Sequence, residues 1–415
     1  MKQNQEDDWE KKAVVYMRQE GGPDCGGDEA GKAGLEMKEY REDKSIQGRK
    51  EEIAIKVKRL QEAMERLKLD AVIINKSNNF AWITAGASNI ITRYSEEGVT
   101  SIVITKEGGQ YILANNIEYP RIVKEETIEE LGFEIKTCYW FEDRNLDFVK
   151  EIVGEGRYGA DIAFPGAENA NAMIEACQYS LTENDIARYQ YLGDTFSKAL
   201  EECLAQVRPG DVELDIAGRI NEALWKYDID PVLFLVAGDE RILDFRHCIP
   251  TANKIKKRMM VSCNGRYKGL VTKTTRFVNF GEPEETFMKQ YLDTLDIENQ
   301  MMAVTTAGTD DIVPHRLAKE LYAQKGYPEM WKVHHQGGPQ GYSNGYYLVT
   351  EDRHGIIQPN QCYCYNPSIT GTKTEDGFIV TEEGPLMITK PVVFPAVEAQ
   401  VGGVTVRRPG VLVIE

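Results

Sequence analysis

The 415-residue sequence predicts an α+β protein of two unequal domains, a smaller α/β domain followed by a larger one built from two similar halves. Three observations predict this. Helical and strand periodicities alternate between residue 51 and about residue 165. From residue 182 onward, a helix, a glycine turn and a second helix occur twice in the same order, with Gly210 and Gly308 standing 98 residues apart. Between those copies, VSCNGRYKGLVTKTTRFVNFG (Val261 to Gly281) reads as two strands rich in β-branched and aromatic residues around a glycine-containing turn. Such a repeat predicts a pseudo-two-fold domain whose central sheet is covered by helices on its convex side, with the site in the concavity.

Composition narrows the function. A 42% hydrophobic chain of this length buries a large core, and a formal net charge of -17 argues against nucleic acid or an anionic membrane surface as partner. Small molecules or short peptides remain. No run reaches the roughly 18 apolar residues of a membrane span, and the opening MKQNQEDDWEKK lacks the apolar core of a secretory signal, so a cytoplasmic location is expected. The eight cysteines form no CxxC pair, which suits buried thiols in a reducing compartment.

In chain order, residues 1–50 read as a charged extension, with a run of glycines from Gly21 to Gly34 and no apolar period. Organised structure is expected near Glu51, where Ile53, Val57, Leu60, Met64 and Leu67 recur at helical spacing before the strand LDAVIIN. Ser101–Thr105 and Gln110–Ala114 read as a hairpin across Gly108-Gly109. A helix and strand follow between Ile117 and Trp140, then a helix near Leu146–Val153 and the strand YGADIAF, giving a first domain over 51–180. In the second domain, 181–415, Thr182 with Asp185 marks a helix start. The stripe Ile186, Tyr189, Leu192, Phe196, Leu200 faces a core, and Arg208-Pro209-Gly210 ends the helix. Helices over 214–227, 285–304 and 312–325 and the apolar strand PVLFLVA complete the repeat.

The spacing Gly265-x-x-x-Gly269 and the strand ending Thr274, Thr275, Arg276, Phe277 resemble the first metal-ligand hairpin of the creatinase, prolidase and aminopeptidase P family, whose catalytic domain is the pita-bread fold. Residues Asn79 to Gly86 resemble the Asn-x-x-Tyr-Leu-Thr-Gly segment of that family's amino-terminal domain. The resemblance places the two family aspartates on Cys263 and Lys273 and the ligand histidine on His335. A later family histidine falls on Tyr342, the substrate-site histidine on His247, and the two glutamate ligands on Asn366 and Glu375. Only His335 and Glu375 keep ligand chemistry, since a protonated ammonium has no lone pair for a metal and a hard paired site needs carboxylates.

A metal-free pocket is therefore expected, with no metal and no cofactor. His247, His335 and Glu375 are its catalytic candidates, and Lys273, Arg276, Tyr342, Asn366 and Cys263 its substrate-binding candidates. Lys273 reads either as a cation balancing Glu375 or as a salt-bridging lysine on a sheet edge. Arg276 reads either as a carboxylate clamp or as a partner of Glu282 or Glu285. Cys263 would be a nucleophile only beside His247 or Lys273. If His334 and His335 lie in a strand they face opposite ways, and one of them at most enters the pocket. The resemblance includes creatinase, a metal-free hydrolase, and so implies C–N cleavage of a small amidino, amide or amino-acid-derived substrate with His247 moving protons. The alternatives are a Xaa-Pro metallopeptidase with an altered site and a catalytically inactive pita-bread module that binds peptides. The resemblance also implies a homodimer.

Overall fold

The computed structural model describes residues 38–415. Most of the extension expected over 1–50 lies outside these residues. Its expected end does not hold: the first described helix, α1, spans Ile46–Leu67, and Ser45 caps it by accepting from the Gly48 N–H. The boundary at 50 thus falls inside a helix. Residues before the helix also touch the second domain, where Glu42 accepts from Arg188 Nε at 2.9 Å and Asn184 Oδ1 accepts from the Asp43 N–H at 2.9 Å. The cap and these polar contacts lengthen an element whose apolar stripe begins only at Ile53.

The first domain has the expected hairpin, while of the strand expected over YGADIAF only Tyr158–Ala160 forms. Strands β1 (Ala71–Lys76), β2 (Glu97–Thr105), β3 (Gln110–Asn115), β4 (Glu134–Cys138), β5 (Tyr158–Ala160) and β6 (Glu168–Asn169) form one sheet in the order β4-β3-β2-β1-β5-β6. The segment resembling the family motif folds as the short helix α2, Ser77–Ile83. Within it Asn79, fully buried, donates to Asp161 and accepts from Gln178, which ties the helix to the sheet and to the domain connector.

The second domain shows the repeat. Helices α6 (Glu183–Leu204) and α7 (Glu213–Trp225) in the first half correspond to α9 (Glu285–Ala303) and α10 (Ile312–Gln324) in the second, after the short helices α3 (Tyr119–Lys124), α4 (Asn145–Val153) and α5 (Asn171–Ala176), and α8 (Arg241–Asp244) between the halves. Gly210 and Gly308 both have positive φ, +94° and +86°, as the turns require. Their amides donate to Ile255 and Ile357 carbonyls. Three residues on, Glu213 and Asp311, both fully buried, tie down the loops that return to each turn. The sheet runs β10 (Gly337–Gln340), β11 (Cys362–Tyr365), β12 (Asp376–Thr381), β9 (Leu270–Phe280), β8 (Arg258–Tyr267), β7 (Asp230–Gly238). The helix stripe Ile186, Tyr189, Leu192, Phe196, Leu200 packs with Val261, Cys263 and Val278 in one core.

The two halves and the two domains are each joined by buried charge. Asp376 accepts from Arg276 Nη1 at 3.0 Å and from Arg408 Nη2 at 3.2 Å. Those arginines reach Glu201 of α6 and Glu298 of α9, both at 2.7 Å, so one carboxylate links corresponding acids of the two halves. All five groups are essentially excluded from water. Between the domains, Lys56 and Glu52 of α1 meet Asp185 and Arg188 of α6. Burial pushes the Asp185 carboxyl up, but Lys56 and Arg188 outweigh it and hold the group well below the usual carboxylate range.

Candidate functional site

Strand register decides which candidates meet. In the β8–β9 hairpin Ser262 faces Thr275, Cys263 faces Thr274, and Asn264 faces Lys273. Directly opposed residues share a face and successive residues alternate, so Lys273 and Thr275 point to one side with Ser262 and Asn264, while Cys263, Thr274 and Arg276 point to the other. The site is on the first side. Thr275 Oγ1 donates to Glu375 Oε2 at 2.9 Å and lies 2.7 Å from Ser262 Oγ. Lys373 Nζ lies 3.0 Å from Glu375 Oε2 and 3.3 Å from Ser262 Oγ.

The lysine paired with Glu375 is therefore Lys373, not Lys273. Lys373 and Glu375 are two residues apart on one extended segment and project together, whereas Lys273 reaches them across the sheet. Burial pushes the Glu375 carboxyl up, but Lys373, then Lys273, and the Thr275 hydrogen bond bring it below its ordinary value. Lys273 is half-buried, and among the described residues it has no carboxylate within ion-pair distance.

The histidines form the rim. His247 is exposed in the segment after α8, and its Nε2 lies 3.4 Å from His334 Nε2. His334 and His335 are not in a strand: they occupy a bend after the 3-10 turn Met330–Lys332, and their rings stack with centroids 4.3 Å apart. Both consequently approach His247, with ring centroids 5.3 and 6.4 Å away, and the strand on which the expectation of one pocket-facing histidine rested does not form. Burial, reinforced by Lys373, pushes the His334 imidazole down to about 3 and the His335 imidazole down to about 4. Both are neutral at physiological pH.

Three of the expected substrate contacts are corrected by packing. Cys263 is fully buried on the helix-facing side, away from Lys273, and burial pushes its thiol well up, so it is a core residue and an inert thiol. Arg276 pairs with Glu201 and Asp376 rather than with Glu282, Glu285 or a ligand, and is 1% exposed. Tyr342 is 1% exposed, and its hydroxyl donates to Asp185 at 2.6 Å within the inter-domain charge cluster. Asn366 remains beside the histidine bend: its amide N–H donates to the Gln336 carbonyl at 3.1 Å, and its buried Oδ1 has no partner. The sequence reading missed Lys373, Ser262 and Thr275. The alternation Lys373-x-Glu375 was the available signal.

A cleft of about 1060 Å³ opens at the hairpin's far end, lined by Val271, Asn344 and Arg266 from the second domain and by Arg93 and Tyr94 from the first. Val271 is two residues from Lys273 on the same face, and Asn264 donates to Asn344 at 2.9 Å, so the cleft leads toward the Lys273 pocket.

Comparison with known proteins agrees with this architecture. Residues 56–178 match the Creatinase/Prolidase N-terminal domain, and residues 187–390 match Metallopeptidase family M24. The chain belongs to the creatinase/prolidase family. The Xaa-Pro dipeptidase of Pyrococcus horikoshii is 21% identical over 359 residues, covering 81% of this chain and 97% of that protein. An uncharacterized peptidase of Staphylococcus aureus (strain MW2) is 21% identical over 220 residues, 50% of this chain, and the match spans 62% of that relative. The solved Xaa-Pro dipeptidase from Bacillus anthracis superposes with a TM-score of 0.70 at 18% identity, covering 87% of this chain and all of that one. No helix among the described residues is long and apolar enough to cross a membrane.

The second family match implies a divalent metal, and the donor set at the family positions does not fit a carboxylate-bridged pair. Lys273 faces an amide, Asn264, across the hairpin; Asn366 offers another neutral amide; and Cys263 faces the core. A fixed ammonium, Lys373, already occupies the side of Glu375.

Proposed function

We propose that this chain is a hydrolase that cleaves the C–N bond of a small amidino, amide or amino-acid-derived substrate in the Lys273–Glu375 pocket, without a paired-metal centre. The observation that carries this reading is the placement of the ammonium of Lys273, without a carboxylate partner among the described residues, beside a buried carboxylate and the neutral imidazoles of His334 and His335. Lys273 docks a carboxylate of the substrate as a point charge. His247 takes a proton from water as the water oxygen bonds to the substrate carbon. The imidazolium then returns that proton to the leaving nitrogen as the C–N bond breaks. His334, held neutral, accepts from the His247 N–H and keeps the ring turned toward the pocket. Glu375, fixed by Lys373 and Thr275, is placed to orient the water or to hold a cationic group of the substrate.

Turnover of a panel of creatine-like, amide and Xaa-Pro compounds by chelator-treated protein tests the reading. His247→Gln is expected to lower turnover about a hundredfold or more while thermal stability stays nearly unchanged. Activity only on Xaa-Pro compounds and only after adding metal would favour a second reading, a Xaa-Pro metallopeptidase with an altered site. That reading is supported by the relative from Pyrococcus horikoshii, matched over 97% of its length. Thermal shifts without turnover of any compound would favour a binding module.

A further inference from the structure

We propose that His247, His334 and His335 form a binding site for one zinc-type divalent cation, offset from the family's paired-metal position. Each ring can offer a nitrogen such that all three lie within 4.8 Å of one another. The Nε2 atoms of His247 and His334 are 3.4 Å apart. Two nitrogens bound tetrahedrally to zinc at about 2.0–2.1 Å must lie about 3.3–3.4 Å from each other, so this pair already has the required separation and His335 needs only a modest ring movement. The rings come from two different loops, the one after α8 and the bend before β10, so their convergence is a product of the tertiary fold and not of sequence adjacency alone.

His334 is 9% exposed, so its Nε2 faces His247 largely out of bulk water, while its Nδ1, on the other side of the ring, is buried with no hydrogen-bond partner and carries the proton when Nε2 binds an ion. Three imidazoles without thiolate or carboxylate select zinc, copper or nickel over magnesium, calcium or manganese, and they leave a fourth position open. One of the three, His335, is also the ligand position that the family resemblance assigns; the other two are not, and neither Lys273 nor Asn366 is used.

The surroundings set the order of contributions. His335 Nδ1 accepts from the Gly337 N–H at 3.2 Å, so coordination through its other nitrogen sacrifices that bond, and His335 contributes least. The charge of Lys373 is offset by Glu375, whereas Lys273 has no such partner among the described residues and opposes a dication. This inference goes beyond the hydrolase reading and does not need it. An ion here takes the nitrogen lone pairs that proton transfer through His247 uses, so occupancy would suppress the proposed hydrolysis.

The test uses the full chain, stripped with chelator and titrated with zinc against a chromophoric competitor, and separately with cobalt followed by visible absorption. One ion per chain is expected, with the intense absorption of tetrahedral nitrogen-ligated cobalt and no competition from magnesium. Affinity should fall at least tenfold in His247→Gln and His334→Gln and less in His335→Gln. It should be unchanged in His354→Gln, whose ring sits elsewhere beside Asp310, and should rise in Lys273→Met. Because a histidine variant can lose binding by misfolding, each is compared only where its unfolding midpoint matches the parent, and the cobalt spectrum of the parent stands without any variant. Two ions per chain, an octahedral cobalt spectrum, or unchanged affinity in a folded His334→Gln protein would overturn the proposal.

Discussion

Glu375 and Asp376 are neighbours in sequence, are both buried, and serve opposite ends. Asp376 faces the helices, where two arginines and the hydroxyls of Thr274 and Thr389 surround its oxygens. Glu375 faces the pocket, held by one lysine and one threonine, with three imidazoles and an ammonium nearby that find little pairing among the described residues. The lesson is that saturation separates structural charge from working charge: a buried carboxylate whose lone pairs are all taken holds elements together, and one left with spare capacity beside unpaired groups can act on a ligand.

The comparison can be broken by removing partners one at a time. Arg276→Met leaves Glu201 and Asp376 short of their cation in a dry interior, and should cost about 3–5 kcal/mol or prevent folding, read from the denaturation midpoint. Asp185→Asn in the inter-domain cluster should be similarly costly, and pH sharpens it. The folded group sits below its unfolded value of about 3.9, so its contribution is present above about pH 4 and is lost as the pH falls further. The variant should start lower than the parent and lose less between pH 4 and pH 2.

On the pocket side the effects should shrink. Lys373→Met leaves Glu375 unpaired, but closer to solvent, and should cost about 2–3 kcal/mol, with Lys373→Met plus Glu375→Gln recovering most of it. A chain starting at Glu51 removes the Ser45 cap and the Glu42–Arg188 contact and should lose about 1–2 kcal/mol relative to one starting at Lys38. Lys273→Met should change stability by less than about 1 kcal/mol, while raising KM for carboxylate-bearing substrates. A large loss of stability in Lys273→Met would erase the distinction between the two sides.

Periodicity and spacing alone determined much of this protein. The apolar stripes of α1 and α6, the glycines at 210 and 308, and the β-rich run from Val261 placed those helices, the repeat and the hairpin, because those signals are local and repeat with the geometry of the element. His247, His335 and Glu375 were marked by the family resemblance and not by periodicity, and the fold brings His335 near both of the others. Which side each residue faces was decided only in three dimensions. A hairpin shift of one residue moves every side chain to the other face, and so the register set Cys263 and Arg276 among the helices while Lys273 stayed with the pocket. Partners were equally a tertiary matter: Glu375 took Lys373, Tyr342 took Asp185, and His334 met His247 across 87 residues, since ion pairs and hydrogen bonds depend on distances that sequence separation does not encode.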